Sequence, residues 1–178
     1  MTAGPGAGLS DLSSAPLPGL LEQDHVRGPD GAPLVIVYAD FECPYCAAAE
    51  VKLKGAQLRI AFRHFPVRSS HPRAWPAACA AEAAALQGGF WEMHDLLFAD
   101  QGRLEDPHLW ARARTLGLDL ERFDADRRSP AVMARVRGDF ESGVRGGVVT
   151  TPTLVANGAL RTGEVDVHSL EEFGARGG

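Results

Sequence analysis

The sequence predicts an α/β fold in which a block of helices interrupts a small mixed sheet. A strand, a helix and a second strand follow one another between Leu34 and His64, and this βαβ order gives two parallel strands. Near the other end, Asn157-Gly158 separates two short strand-like runs, and Asn-Gly is the strongest short signal for a hairpin. The chain has 178 residues, of which 45% are hydrophobic, and this suits one globular domain.

The parallel half begins after the turn signal Gly-Pro-Asp-Gly. Leu34 to Ala39 is a continuous apolar run rich in β-branched residues, which is typical of a strand buried on both faces. Pro44 suits the first turn of a helix, and Gly55 can end that helix. Leu58 to His64 then predicts the second strand.

The middle of the chain, at about residues 70–145, is predicted to be a helical insertion. An alanine-rich helix stops at Gly88-Gly89, and Asp106-Pro107 and Ser129-Pro130 have the residues of helix starts. A further short helix is expected over Leu118–Arg127. The helix after Gly89 has apolar residues at helical spacing: Phe90, Met93, His94, Leu97 and Phe98.

After the hairpin, residues 165–173 are predicted to form a closing helix. The domain is expected to span 24–173, with the insertion inside it. Residues 1–23, rich in Gly, Pro, Ala and Ser at their start, are expected to be a flexible N-terminal tail. Residues 174–178 are expected to be a short C-terminal tail.

Composition and charge exclude several kinds of protein. The net charge of −5 disfavours nucleic-acid binding, because phosphate contacts need a basic patch. We find no apolar run long enough for a membrane span and no secretory signal, so we expect a cytoplasmic protein without membrane contact. Three cysteines in a reducing compartment disfavour a disulfide framework, and a close pair there is more often catalytic or metal-binding.

Two of the three cysteines, Cys43 and Cys46, form a CxxC pair where the first strand passes into the helix. Unpaired N–H groups and the helix dipole favour a thiolate at that position. Cys46 lies one turn further in, where its sulfur can reach Cys43. A zinc site would need four ligands, and Cys79 stands alone in a helix. Redox catalysis, a metal site and structural packing remain as interpretations, and redox catalysis fits best.

Four motifs together resemble the DsbA family of thiol–disulfide oxidoreductases, which have a thioredoxin-like fold with a helical insertion. They are Asp40-Phe41-Glu42-Cys43-Pro44-Tyr45-Cys46, Phe62-Arg63-His64-Phe65-Pro66, Gly89-Phe90-Trp91-Glu92-Met93-His94-Asp95 and Thr150-Thr151-Pro152-Thr153. The resemblance runs from about Asp24 to Phe173. It implies a βαβ half and a ββα half around the insertion, which would form a lid and a substrate groove beside Cys43.

The resemblance also assigns roles to single residues. Pro152 would follow a cis peptide bond and face the cysteine pair, and Thr151 would contact the substrate. Apart from the resemblance, Pro44 and Tyr45 lie between the two cysteines, where they set the geometry and polarity and are expected to tune the redox potential.

Two acidic residues and two histidines flank these motifs. Asp40 and Glu42 could tune the sulfurs as well, or Asp40 could be a cap or turn residue and Glu42 a solvated loop charge. His64 and His71 could approach the sulfurs, or could serve packing and capping.

The expected activity is dithiol–disulfide exchange with protein or peptide substrates through a mixed disulfide, without cofactor or metal. A separate redox partner would reset the pair, and in the cytoplasm reduction or isomerisation would fit better than oxidation. One alternative is a glutathione-dependent isomerase or transferase of the kappa type, against which the presence of Cys46 counts. Another is a non-catalytic CxxC metal-binding module. Cys79 is expected to be a small buried residue, or else a third redox thiol.

Overall fold

The computed structural model describes residues 16–166, 168–169 and 171–172, and within them the chain forms a five-stranded mixed sheet. The strands are β1 (His25–Arg27), β2 (Leu34–Ala39), β3 (Arg59–His64), β4 (Thr153–Ala156) and β5 (Ala159–Thr162). Their order across the sheet is β1-β3-β2-β4-β5. β2 and β3 are parallel, and the other pairs are antiparallel.

Strand β2 lies at the centre of the sheet and separates two apolar clusters. Val35, Val37 and Ala39 face the larger cluster, which includes α1 and the helical insertion, while Ile36 and Tyr38 face the smaller one. Side chains alternate between the faces of a strand, so a run that is apolar at every position fits a strand covered on both sides. The prediction of a buried parallel pair is confirmed.

Six helices have both of their ends within the described residues, and five of them form the insertion between β3 and β4. They are α1 (Pro44–Lys54), α2 (Ala74–Ala85), α3 (Phe90–Ala99), α4 (Asp106–Thr115), α5 (Leu120–Asp126) and α6 (Pro130–Arg145). Ser129 caps α6 by accepting a hydrogen bond from the Val132 amide. The predicted apolar stripe of α3 is buried at all five positions. The alanines of α2 are buried almost all round the helix, because small side chains let neighbouring helices approach closely.

The predicted hairpin is present between β4 and β5. Asn157 and Gly158 both have positive φ, 52° and 76°, as a two-residue turn of this kind requires. Of the predicted closing helix, positions 168–169 and 171–172 are helical, whereas 167, 170 and 173 lie outside the described residues. Strand β1 was not predicted from the sequence, since three residues are too few to show a periodicity.

A buried arginine ties the segment before β1 to the sheet. Arg63 is fully buried and donates hydrogen bonds to both carboxylate oxygens of Asp24, at 2.9 and 2.7 Å. It also donates to the carbonyls of Pro18 and Gly19, at 3.0 and 2.6 Å. Residues 17–19 of the predicted tail therefore contact the core, whereas residues 1–15 and 173–178 lie outside the described residues.

Candidate active site

Cys43 sits at the N-cap position of α1, where the sequence placed it. Its backbone is extended (φ −78°, ψ 119°), and Pro44 begins the helix. The carbonyl of Cys43 accepts the first helical hydrogen bonds, from the amides of Cys46 and Ala47 at 3.1 and 3.2 Å. The sulfur lies beside the backbone N–H groups of the first turn, those of Tyr45 and Cys46.

These surroundings lower the pKa of the Cys43 thiol to about 5. The largest cause is a hydrogen bond from the side chain of Cys46, which stabilises the thiolate. Burial opposes ionisation, but the Thr151 side chain and the backbone amides of Tyr45 and Cys46 add further hydrogen bonds. Hydrogen bonds to the charged form are the usual way to make a buried thiol acidic.

Cys46 has the opposite character, although both residues are nearly inaccessible to solvent, at 3% exposure for Cys43 and 2% for Cys46. Burial, followed by its hydrogen bond to Cys43 and the nearby negative charge there, raises the pKa of Cys46 far above its ordinary value. The amide of Asp40 donates to its sulfur at 3.5 Å. The pair therefore contains one acidic thiol and one that stays protonated.

The proline loop lies directly opposite the pair. The Thr151–Pro152 peptide bond is cis, as the resemblance implied. The Cys43 sulfur lies 3.5 Å from the Thr151 carbonyl oxygen. The loop leads into β4, whose Thr153 pairs with Tyr38 of β2. Because β2 also leads to the cysteine pair, the sheet itself brings together two motifs that are far apart in sequence.

A groove beside Cys43 runs between α1 and the proline loop, with a volume of about 420 Å³. It is lined by Tyr45, Ala48, Ala49, Lys52, Thr150, Thr151, Gly163, Glu164 and Val165. Tyr45 is 75% exposed at its edge. All the lining residues come from the first helix, the proline loop and the segment after β5. None of them belongs to the insertion, and the expectation that the insertion forms a lid and substrate groove beside Cys43 stays a prediction.

Asp40 is a buried turn residue with three hydrogen bonds. Its carboxylate accepts from the amides of Glu42 and Val67, both at 2.8 Å. His71 lies 2.8 Å from the same carboxylate through Nδ1. These bonds fix the loop that carries Cys43. Of the two interpretations of Asp40, the structure supports the turn residue, and its amide links that turn to the Cys46 sulfur.

Glu42 is bound to the insertion, so its interpretation as a solvated loop charge is wrong. Its side chain is only 10% exposed. It accepts two hydrogen bonds from Arg73, from the amide at 2.7 Å and from Nε at 2.8 Å. His64 bonds to Glu82 at 2.7 Å. The ring nitrogens of His64 and His71 thus bond to carboxylates, and only the partner of His71, Asp40, belongs to the turn that carries Cys43.

Gln101, between α3 and α4, was missed by the sequence analysis. Its side-chain amide donates to the carbonyls of Phe41 and Cys43, at 2.8 and 2.9 Å. It lies in no recognised motif, and no local pattern distinguishes a glutamine that reaches back 58 residues. Arg73 was missed for the same reason.

One group of metal-ligand side chains occurs among the described residues, formed by Glu50, His94 and Asp95. It contains none of the three cysteines. Arg27 already bonds to both carboxylates, and Lys54 lies 3.0 Å from that of Asp95. Burial lowers the pKa of His94 to about 4, which keeps the ring neutral between the two acids. The cations present thus balance the acids of this cluster.

Cys79 is buried in α2. Burial raises the pKa of its thiol to about 11. A protonated, inaccessible thiol is a poor nucleophile, in line with the interpretation of Cys79 as a small packing residue.

A comparison with protein-family models decides the family. The model described as thioredoxin matches residues 21–173. The chain belongs to the thioredoxin family. Among the described residues of this thioredoxin-family protein, we find no helix that combines the length and the apolar character needed to cross a bilayer.

Solved structures have the same architecture. A thioredoxin-like oxidoreductase from Silicibacter pomeroyi DSS-3 is 28% identical, with a TM-score of 0.75 over 84% of this chain and 88% of that one. The thiol-disulfide exchange protein alpha-DsbA2 from Wolbachia pipientis is 18% identical, with a TM-score of 0.72 over 83% of both chains. The predicted DsbA-like thioredoxin fold with a helical insertion is confirmed.

A relative found by sequence is named for ion transport, unlike the solved structures above, and is much longer than this chain. The Na(+)/H(+) antiporter NhaA 3 of Salinispora tropica is 44% identical over 158 residues, which is 84% of this chain. The match covers 24% of the antiporter. The chain thus spans about a quarter of the length of that relative.

Proposed function

We propose that this thioredoxin-family protein is a DsbA-like thiol–disulfide oxidoreductase that exchanges its Cys43–Cys46 pair with protein or peptide substrates. The observation that carries the proposal is the acidic Cys43 thiol at a helix N-terminus, hydrogen-bonded by Cys46 and 3.5 Å from the Thr151 carbonyl. Thiolate, a second thiol and an adjacent backbone edge are the parts that exchange requires.

In the reducing direction, the Cys43 thiolate attacks one sulfur of a substrate disulfide. A Cys43–substrate disulfide forms, and the other substrate sulfur leaves as a thiolate and takes a proton. Cys46 then loses its proton and attacks the Cys43 sulfur. The intramolecular disulfide forms, and the second substrate sulfur leaves. Two electrons pass from the pair to the substrate, and the reverse sequence passes a disulfide to a substrate dithiol.

The acidity of Cys43 favours the reverse direction. A low pKa stabilises the reduced form of the pair, and a couple with a stabilised reduced form is a strong oxidant. We therefore propose disulfide donation as the favoured direction, in place of the reduction expected from a cytoplasmic location. That location itself stays a prediction. A reduction potential measured against a glutathione buffer decides between the two directions, with a strongly oxidising value supporting donation.

Three variants, each with one cysteine replaced, test the activity. Cys43→Ser should abolish both dithiol oxidation and insulin reduction, because no other thiol of the chain is acidic. Cys46→Ser should accumulate mixed disulfides with substrate, which mass spectrometry detects. Cys79→Ala is the matched control and should keep full activity. If both Cys43→Ser and Cys46→Ser retain wild-type activity, the proposal is wrong.

The same protein separates the two alternatives. Reduced glutathione titrated calorimetrically into reduced protein, where no disulfide exchange can occur, should give no saturable binding, whereas a kappa-type enzyme would bind it. Elemental analysis of protein purified without added metal should give far less than one zinc or iron per chain. A stoichiometric metal would favour the binding module instead.

A second candidate function comes from the antiporter relatives. Their 44% identity to this chain over 158 residues supports a role beside a Na(+)/H(+) antiporter, in which the pair would act on cysteines of the transport protein. The Cys46→Ser variant tests this when it is incubated with membrane vesicles that contain such an antiporter. A mixed disulfide between the two would support the role. Equal trapping of unrelated membrane proteins would argue for a general substrate range.

A further inference from the structure

The helical insertion reaches the backbone of the nucleophile through the side chain of Gln101. Its Nε2 donates to the carbonyl oxygens of Phe41 and Cys43, at 2.8 and 2.9 Å. A glutamine side chain has two N–H donors, both on the same nitrogen. Each carbonyl therefore takes one of them, and the orientation of the amide is fixed by its two acceptors.

Both carbonyls belong to the turn that carries the reactive sulfur. The Phe41 residue is buried, and a buried carbonyl without a partner is costly. The Cys43 carbonyl also opens the hydrogen-bond ladder of α1. Holding both groups fixes the backbone angles of the N-cap, and those angles aim the sulfur at the N–H groups of the first turn.

Gln101 can act as a fixed support because hydrogen bonds from a buried arginine hold the loop that carries it. Arg112 of α4 is largely buried and donates to four carbonyls around that loop. They belong to Leu96 at 3.2 Å, Asp100 at 2.8 Å, Arg103 at 2.6 Å and His108 at 3.3 Å. The turn that presents Gln101 is thus anchored at both ends.

A second contact joins the same two regions. Arg73 bonds to Glu42 and also to Glu105, at 2.6 Å from the latter. Glu42 lies between the two residues whose carbonyls Gln101 holds. The arginine contact is partly exposed and involves the side chain of Glu42, whereas Gln101 binds the backbone itself. Of the two contacts, Gln101 acts on the conformation of Cys43 most directly.

We propose that Gln101 is a positioning residue for thiol exchange, through which the helical insertion holds Cys43 in the N-cap conformation that makes its sulfur reactive. The inference rests on the proposed function, because it assigns the residue a part in that reaction. It gives the insertion a role at the nucleophile, although the insertion does not line the groove beside it.

The test is a titration of the Cys43 thiolate by its ultraviolet absorbance in reduced protein. Gln101→Met keeps the length of the side chain but has no donor, and Gln101→Glu adds a negative charge beside the same carbonyls. We expect the pKa of Cys43 to rise by about half a unit to one unit in Gln101→Met, which corresponds to one neutral hydrogen bond. The rise should be larger in Gln101→Glu, since a nearby negative charge disfavours a thiolate.

Gln87→Glu is the matched control. Gln87 also uses its amide to hold a turn, by bonding to the backbone of Asp119 at 3.2 and 2.9 Å. That turn belongs to the insertion and carries no cysteine. The same change in charge there should leave the pKa of Cys43 within about 0.2 units of wild type.

The inference is overturned if the pKa of Cys43 in folded Gln101→Met and in folded Gln101→Glu equals the wild-type value. It is also overturned if Gln87→Glu shifts the pKa of Cys43 as much as the Gln101 variants do. Should Gln101→Met not fold, Gln101→Asn serves instead, because its shorter amide cannot reach both carbonyls. The titration needs no substrate. A wild-type protein inactive towards disulfides would therefore end the proposed function, while a shift in the Gln101 variants would still support the positioning role.

Discussion

Replacing Cys46 by alanine should make Cys43 markedly less acidic. The side chain of Cys46 supplies the hydrogen bond that lowers the pKa of Cys43 most, and this pKa is about 5 in the intact pair. Alanine removes the donor and leaves the backbone around α1 unchanged. Cys46→Ser is the matched comparison, because a hydroxyl can still donate to the thiolate.

The size of the effect follows from the strength of that hydrogen bond. A hydrogen bond to a charged group contributes about 1.5–3 kcal/mol, and one pKa unit corresponds to about 1.4 kcal/mol. The loss should therefore raise the pKa of Cys43 by about 1–2 units, to about 6–7. Water that enters the space left by the sulfur can donate in its place, so the lower end of this range is expected. In Cys46→Ser the rise should be less than half as large.

The assay is the ultraviolet absorbance of the thiolate as a function of pH, with Cys43→Ser as the blank. The wild type should give a single transition in the acid range, because burial raises the pKa of Cys79 to about 11 and that of Cys46 further. A Cys46→Ala variant that titrates at the wild-type pH would refute the assignment of the donor. An equal shift in alanine and serine variants would show that packing, and not hydrogen bonding, sets the acidity.

Three further predictions concern stability. Gly143→Ala places a Cβ 2.8 Å from one aromatic ring and 3.0 Å from another, so it should cost about 1–3 kcal/mol. Gly138→Ala, which meets open space on the same helix, should instead gain about 0.5–1 kcal/mol; urea unfolding measures both, and equal losses would contradict the packing argument. The folded pKa of Cys43, about 5, lies below the unfolded value of about 8.5, so its thiolate stabilises the reduced fold fully above pH ~8.5 and loses this effect as pH falls towards 5. As pH rises from about 5 to about 8.5, the Tm of reduced wild type should therefore increase relative to that of Cys43→Ser. A Tm difference that stays constant over this range would contradict the prediction. Arg63→Met leaves Asp24 buried without its partner and should cost about 3–5 kcal/mol in the same urea experiment, whereas a loss below about 1 kcal/mol would mean that the pair behaves like a surface pair.

The elements of this protein could be predicted where local chemistry alone sets the conformation. The strand at Leu34–Ala39 is apolar at every position because both of its faces are covered. Asn157 and Gly158 form the hairpin turn because they accept positive φ. The alanines and the proline of α1 favour a helix whatever surrounds it. In each case the signal and the structure lie within the same few residues.

Other features of the site were out of reach of local patterns. Glu42 is a charged residue in a loop, which locally indicates a solvated side chain, but Arg73, 31 residues further along the chain, forms an ion pair with it. Gln101 has no periodicity that marks it, and its two hydrogen bonds depend on how the insertion packs on the sheet. The short strand β1 exists because β3 offers it an open edge.

The sequence by itself identified the CxxC pair as the candidate reactive site, since a cysteine at a strand-to-helix junction has both backbone N–H groups and a second thiol within reach to stabilise its thiolate. It also determined the order of the elements, because hydrophobic periodicity and turn residues are local properties. The resemblance already implied that the proline loop faces the pair. Only the tertiary structure decided what else surrounds the pair. That Gln101 holds the backbone of Cys43 and that Arg73 pairs with Glu42 depend on helix packing, which brings together segments that the chain keeps far apart.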